Sequence, residues 1–179
     1  MTSNKHLEVL MPWFIVGGYA LFLLGGLFGG GIFDNKSTGQ LVSWQIGNTG
    51  AICASVLAGA LLSKQDWHLP AAGFVILGLV HSIFFSSLIM DTIDERIFAT
   101  GAIVLVPAIF LISFYPVFPL WVKMMGWVSC MFFLIMYIRM LMGVYSYDDW
   151  SQNMSYVAEE ITIAGWCIYF IKGSVKKAK

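Results

Sequence analysis

The sequence predicts an all-α polytopic membrane protein with six transmembrane helices, and three observations carry that prediction. Runs of about 20 apolar residues recur along the whole chain, the length a helix needs to cross a hydrocarbon core of ~30 Å. Hydrophobic residues make up 59% of the 179 and charged residues only 11%, with a mean hydropathy of +0.79. A soluble domain of this size has too much surface to cover to be so apolar. The polar residues fall in short connectors and in the tail "KGSVKKAK", which leaves no segment for a separate soluble domain. A transmembrane β-barrel would alternate apolar and polar residues, and these runs do not.

The spans read at about 10–33, 40–63, 69–90, 97–115, 120–144 and 153–172, in one membrane domain covering 1–179. The connectors between them, "DNKSTGQ", "SKQDWHLP", "DTIDER", "YPVFP" and "YSYDDWSQN", are rich in turn formers and charge. Their shortness makes consecutive spans antiparallel neighbours, so the chain reads as three hairpins. The first run is span-length, rich in glycine and flanked by Lys5 as its one basic residue, which argues against a cleavable leader. Span 4 carries Pro107 in "VLVPAIF", where the missing N–H bends a helix. Span 6 contains Glu159 and Glu160. Starting it after them would leave too few apolar residues before Lys172 to cross, so it starts earlier and takes both glutamates into the membrane.

Basic residues sort to one side. Lys5, Lys64, Lys123, Lys172, Lys176, Lys177 and Lys179 fall on the side of the termini, whereas the opposite side holds Lys36 and Arg96 with six acidic residues, Asp34, Asp91, Asp94, Glu95, Asp148 and Asp149. The positive-inside rule then puts both termini in the cytoplasm, as expected for a bacterial inner-membrane protein. Trp13, Trp67 and Trp121 near one boundary and Trp44 and Trp150 near the other form an aromatic belt.

Asp34, Asp91 and Asp148 are spaced by 57 and again by 57 residues, a period that similar hairpin lengths produce by geometry and that an old triplication of one hairpin would also leave. Used as a depth ruler, it sets Arg139, in "LIMYIRMLMG", level with Ser82 and its neighbour His81, and level with Gly25 in span 1. An ionised side chain at mid-membrane costs about 2.5–3.5 kcal/mol or more unless it faces protein or water. Arg139 therefore needs an acceptor, and Glu160, ahead of Glu159, is the expected partner on span 6. Gln45 and Asn48 recur on one face of span 2, with Ser55 and Gly59 beyond them. The expected site is a polar pocket of His81, Ser82, Arg139, Glu159, Glu160, Asn48 and Gln45. His81 is its proton-acceptor candidate, since imidazole changes charge near neutral pH.

In span 1, Gly25 and Gly29, like Gly26 and Gly30, are four apart. This small-xxx-small pattern lets helix backbones approach closely, and Gly50, Ala54 and Ala58 on span 2 answer it. Gly26 and Gly30 are expected to be intolerant of a branched side chain for that reason. Span 1 is also the expected surface for a homo-oligomer or a larger membrane complex.

No metal, cofactor or nucleic-acid site is expected. Cys53, Cys130 and Cys167 are scattered. The methionines of span 5 lack the histidine or second cysteine that would complete a copper site. No hydrolase or protease signature is present either. The reading that results is a small permease or channel-type protein, partnered by the bilayer, that binds or passes a small polar or anionic solute. A non-transport assembly subunit packing through span 1 is the alternative, and a lipid-directed enzyme a weaker one.

The orientation is testable. With the native cysteines replaced by alanine, Lys5→Cys and Lys176→Cys are expected to resist an impermeant thiol reagent in intact cells, and Lys36→Cys to react. Labelling of the termini from outside would reverse the assignment.

Overall fold

In a computed structural model the chain is all-helical. It describes residues 4–34, 37–89, 95–145 and 149–177, with side chains from 10 onward, to 173, and not at 88–89 or 95–99. The six helices are α1 (Asn4–Gly31), α2 (Thr38–Ser63), α3 (His68–Ile89), α4 (Glu95–Phe114), α5 (Leu120–Leu141) and α6 (Trp150–Lys177). Stretches of α1, α2, α3 and α5, from 20 to 26 residues long, have the length and apolarity to cross a membrane. Of the loop charges used for orientation, Lys36, Asp91, Asp94, Asp148 and Lys179 lie outside the described residues, as do the side chains of Lys5, Glu95, Arg96, Lys176 and Lys177.

Local signals in the sequence set the helix ends. Ser37 caps α2, its hydroxyl accepting the Gln40 N–H at 3.2 Å, the usual way to satisfy a free N-terminal donor. Pro119 stands at the N-cap of α5. Asp66 turns the α2–α3 connection with φ of 62°, a conformation that short Asn and Asp side chains tolerate. The α5 helix stops at Leu141 because Gly143 takes φ of +69°, the left-handed cap that favours glycine. The helix α4 runs through Pro107 without a break.

Each helix packs on its neighbours in sequence, and α1 also packs on α6. Among the described residues the six helices thus form a closed ring, with side chains filling the middle. Ile15, Tyr19, Phe74, Leu77, Leu105, Phe133, Met136, Ile163 and Trp166 are fully buried there. The outside is apolar too: Phe14, Leu21, Leu27, Phe110, Phe114, Leu120, Met131 and Leu141 are exposed. An apolar exterior on that scale is unlike a soluble protein's surface and suits lipid.

The tightest seam joins α1 and α2. A Cβ added at Gly18 would lie 2.6 Å from the Gly50 carbonyl oxygen, and one at Gly25 would lie 2.6 Å from the Ser43 oxygen and 2.8 Å from the Gly47 Cα. Backbone here rests on backbone. Gly29 faces the Trp44 indole. The expectation for the other glycine pair needs correcting. Nothing lies within 4 Å of a Cβ at Gly30, and a Cβ at Gly26 would meet only the Glu160 carboxylate. One turn of α1 rotates about 100° per residue, so the two interleaved pairs point in different directions: Gly25 and Gly29 to α2, Gly26 and Gly30 to open space beside α6.

This division predicts opposite outcomes from one type of substitution. Gly18→Leu and Gly25→Leu are expected to destabilise by about 1–3 kcal/mol or more, because a branched side chain meets backbone. Gly30→Leu is expected to fold normally. Melting of the detergent-solubilised variants measures both, and equal melting of all three would remove the seam.

Candidate functional site

The centre of the ring holds a polar cluster. His81 is fully buried on α3, and its Nδ1 lies 2.9 Å from the Asn48 Oδ1 on α2. A carboxamide oxygen can only accept, so this contact fixes the proton on Nδ1 and leaves Nε2 as a lone-pair acceptor in the neutral ring. That Nε2 faces the Glu159 Oε1 of α6 at 3.9 Å. Among the described residues, neither the His81 Nε2 nor either Glu159 oxygen has a hydrogen-bond partner. Phe22 stands edge-on to the imidazole, with centroids 4.9 Å apart. Asn48 is held in turn by its own amide, which donates to the Trp44 carbonyl at 2.9 Å.

A cavity of about 410 Å³ ends on this cluster. Its wall is contributed by the end of α1 (Phe22, Gly26, Gly30), the start of α2 (Trp44, Gly47, Asn48), the second half of α3 (His81, Phe84, Ser87) and the start of α6 (Gln152, Asn153, Tyr156, Val157, Glu160). Gly30, Asn153 and Val157 at its rim are exposed. Glu159 and Glu160 are consecutive, so their side chains diverge by about 100°. Glu159 turns into the ring beside His81, and Glu160 turns into the cavity.

A second cavity, of about 520 Å³, lies toward the opposite helix ends and is lined by Pro12, Leu61, Gln65, Pro119, Trp121, Phe170 and Lys172 among others. Between the two, along α1, α2 and α6, come Tyr19, Ser55 and Trp166. Tyr19 and Ser55 share a hydrogen bond of 3.0 Å. Trp166 packs against Phe74 at 4.9 Å and Tyr19 at 5.9 Å, and Phe118 lies 6.2 Å from both Phe74 and Trp166. These rings form an aromatic layer at a level of the helices between the two sets of lining residues.

The structure brings together His81, Asn48, Glu159 and Glu160 from the expected pocket, and not the other three. Gln45 is half-buried, its carbonyl accepting the Thr49 hydroxyl. Ser82 bonds back to the Gly78 carbonyl at 2.9 Å. Arg139 is the main correction: its partner is Asp149, and neither glutamate pairs with it. Its Nη2 reaches the Asp149 Oδ2 at 2.7 Å, and its Nε lies 3.0 and 3.2 Å from the two carboxylate oxygens. The guanidinium also stands 5.8 Å over the Trp150 ring. Arg139 occupies the last turn of α5, where a cation also suits the helix dipole. The depth ruler failed because it assumed equal helix lengths. Gly143 ends α5 early, and that glycine, two residues past the last helical one, was the signal in the sequence.

Asp149 does more than receive Arg139. It caps α6, its Oδ1 accepting the Ser151 N–H at 2.9 Å and the Ser151 hydroxyl at 2.6 Å. The hydrogen bonds from Arg139, then those from Ser151, hold its carboxyl down to about 2 from an ordinary 3.8. Sequence reading counted Asp149 among the acidic residues of the side opposite the termini and missed this role.

Among the described residues, no three His, Cys, Asp or Glu side chains gather to hold a metal ion. No family model, curated protein or solved structure matches this chain.

The Arg139–Asp149 link gives a coupled prediction. Arg139→Leu is expected to cost about 1.5–3 kcal/mol, the range for hydrogen bonds to a charged group. Asp149→Asn in the same chain should add little, whereas Glu160→Gln should add its own effect in full. Because the folded Asp149 is the stronger acid, its contribution is complete above pH 3.8 and is lost as pH falls toward 2. Thermal melts of the double-mutant cycle at pH 7 and across that range check both. Coupling to Glu160 instead would restore the earlier pairing.

Proposed function

We propose that this chain is a small permease or channel-type membrane protein, in which the cavity ending on His81, behind which Glu159 stands, receives a small polar solute. All six helices span the bilayer as three hairpins with both termini cytoplasmic, in the inner membrane of a bacterium. In that arrangement α4 and α6 cross despite their shorter apolar length, α6 by turning Glu159 into the ring. The cavity at the start of α6 then faces outward and the one beside Lys172 faces the cytoplasm.

The observation that carries this reading is the buried His81–Glu159 contact, its facing atoms without hydrogen-bond partners among the described residues, behind an open cavity that His81 lines. A buried imidazole and carboxylate fixed 3.9 Å apart can exchange a proton through one water or a solute hydroxyl. A polar pair placed only to lock helix register would be expected to satisfy its own atoms. Two cavities with a side-chain layer at a level between them also suit alternating access, in which Tyr19, Phe74 and Trp166 part. The anionic half of the expected substrate class rested on Arg139 and goes with it. Self-association, if it widens the path, would use outward residues such as Leu21, Leu24 and Phe28, since Gly25 and Gly29 already rest on α2.

Reconstituted vesicles carrying an internal pH dye test the assignment against a panel of small polar solutes. Solute-driven pH change is expected for the parent and at least about tenfold slower for His81→Leu with Glu159→Leu. Replacing both members of a buried pair is often near neutral for stability, so the double variant is expected to fold. If it folds and transports like the parent, the pair is architectural and the permease reading falls. On a background with the native cysteines replaced, Asn153→Cys should also label from outside.

A further inference from the structure

The geometry points to an organic monocation, an amine or quaternary ammonium with an apolar body, as the ligand of the cavity between α1, α2, α3 and α6. The inference rests on the cavity being the solute site and adds the sign of the solute's charge.

Three features of the wall set that chemistry. The first is charge. Glu160 turns its carboxylate into the cavity, and no basic side chain pairs with it: the acid–base contacts within 4.0 Å among the described residues are His68–Asp66, His81–Glu159 and Arg139–Asp149. No lysine or arginine lines the cavity. His81, its one basic group, is committed to Asn48 through Nδ1 and faces Glu159 through Nε2. An anion would meet Glu160 with nothing to offset the repulsion, whereas a cation supplies the missing partner for a carboxylate held within a bundle.

The second feature is the rest of the wall. Phe22, Trp44, Phe84 and Tyr156 are all contributed to it. Aromatic faces attract a desolvated cation, Trp most strongly, and also accept an apolar body. A small inorganic cation would instead want several oxygen ligands, and no three acidic or other metal-binding side chains gather here among the described residues.

The third is room and access. About 410 Å³ falls within the range of small-molecule sites. A Cβ at Gly26 would press on the Glu160 Oε1 at 2.8 Å, and Gly30 opens on empty space. The glycines keep a path clear to the carboxylate. His81 and Asn48, bonded to each other, form the polar floor, and Glu160 in the wall is where the ligand's charged end stops.

The probes are three molecules of similar shape: benzyltrimethylammonium, the neutral alcohol 2-methyl-1-phenylpropan-2-ol, and phenylacetate. Titration calorimetry uses the full chain in nanodiscs of zwitterionic lipid. The cation is expected to bind at least about tenfold more tightly than the alcohol, and phenylacetate not measurably. Glu160→Gln should remove the cation's advantage and leave the alcohol unchanged, and Glu160→Asp should keep most of it. Gly30→Leu should block all binding. Equal binding of cation and alcohol, tighter binding of phenylacetate, or no effect of Glu160→Gln overturns the proposal. If the alcohol or phenylacetate binds and Gly30→Leu blocks it, the cavity stands as the solute site and only the cation class fails. If no probe binds and Asn153→Cys resists labelling from outside, both readings fail together.

Discussion

A carboxylate in an apolar bundle is tolerated only where the surrounding helices give it something other than lipid to face, and Glu159 imposes that condition on this molecule. It sits about nine residues, roughly 14 Å, along α6 from Trp150, too deep for its short side chain to return to the helix end. The inward turn of Glu159 fixes the rotation of α6. Thr162, Ile163, Trp166 and Phe170 follow it onto the inner face and are buried, while Met154 and Ile161 are left outside. The contact between α6 and α1 then closes the ring, and the ring is what makes an interior for His81 and Asn48.

The closing contact depends on glycine in a second way. Gly18, Gly25, Gly47 and Gly50 draw α1 and α2 together until backbone meets backbone. Close approach on one side of α1 leaves its other side free, and that side carries Gly26 and Gly30 along the cavity. The same run of glycines thus provides the tightest packing and the widest opening, separated by one residue of helical rotation. At the N-terminal end of α6, Asp149 unites three tasks in one side chain: it caps the helix, receives Arg139 from α5, and so sets where α6 begins.

The sequence made the helices legible because hydrophobic runs of membrane length are long, strong signals. Six were expected, and the observed ends lie within a few residues of them except where α1 begins earlier and α6 runs longer. His81, Asn48 and Glu159 were legible as polar groups with nowhere to go in apolar surroundings, a condition that holds whatever the neighbours are. Pairings were not, because they depend on depth to within one helical turn. Shortening α5 by three residues moved Arg139 about 4.5 Å toward the helix end and into the reach of Asp149. Which of two interleaved glycine pairs makes a seam was equally hidden, since both have the same spacing and differ only in azimuth.

The placement of Arg139 also decides how the interior charges are to be understood. With the guanidinium engaged by Asp149 at the end of α5, the two glutamates of α6 have no fixed cation between them. Successive positions send one toward an imidazole and the other toward an open cavity, so the same pair of residues meets two different partners. On the proposed reading, Glu159 with His81 handles protons and Glu160 handles the solute, and adjacency on one helix turn couples the two. A charge accepted at one carboxylate alters the field at the other, in surroundings that screen poorly. Exchange between proton and cation then needs no long pathway through the protein, only a helix that presents two neighbouring acids to two compartments of its own interior.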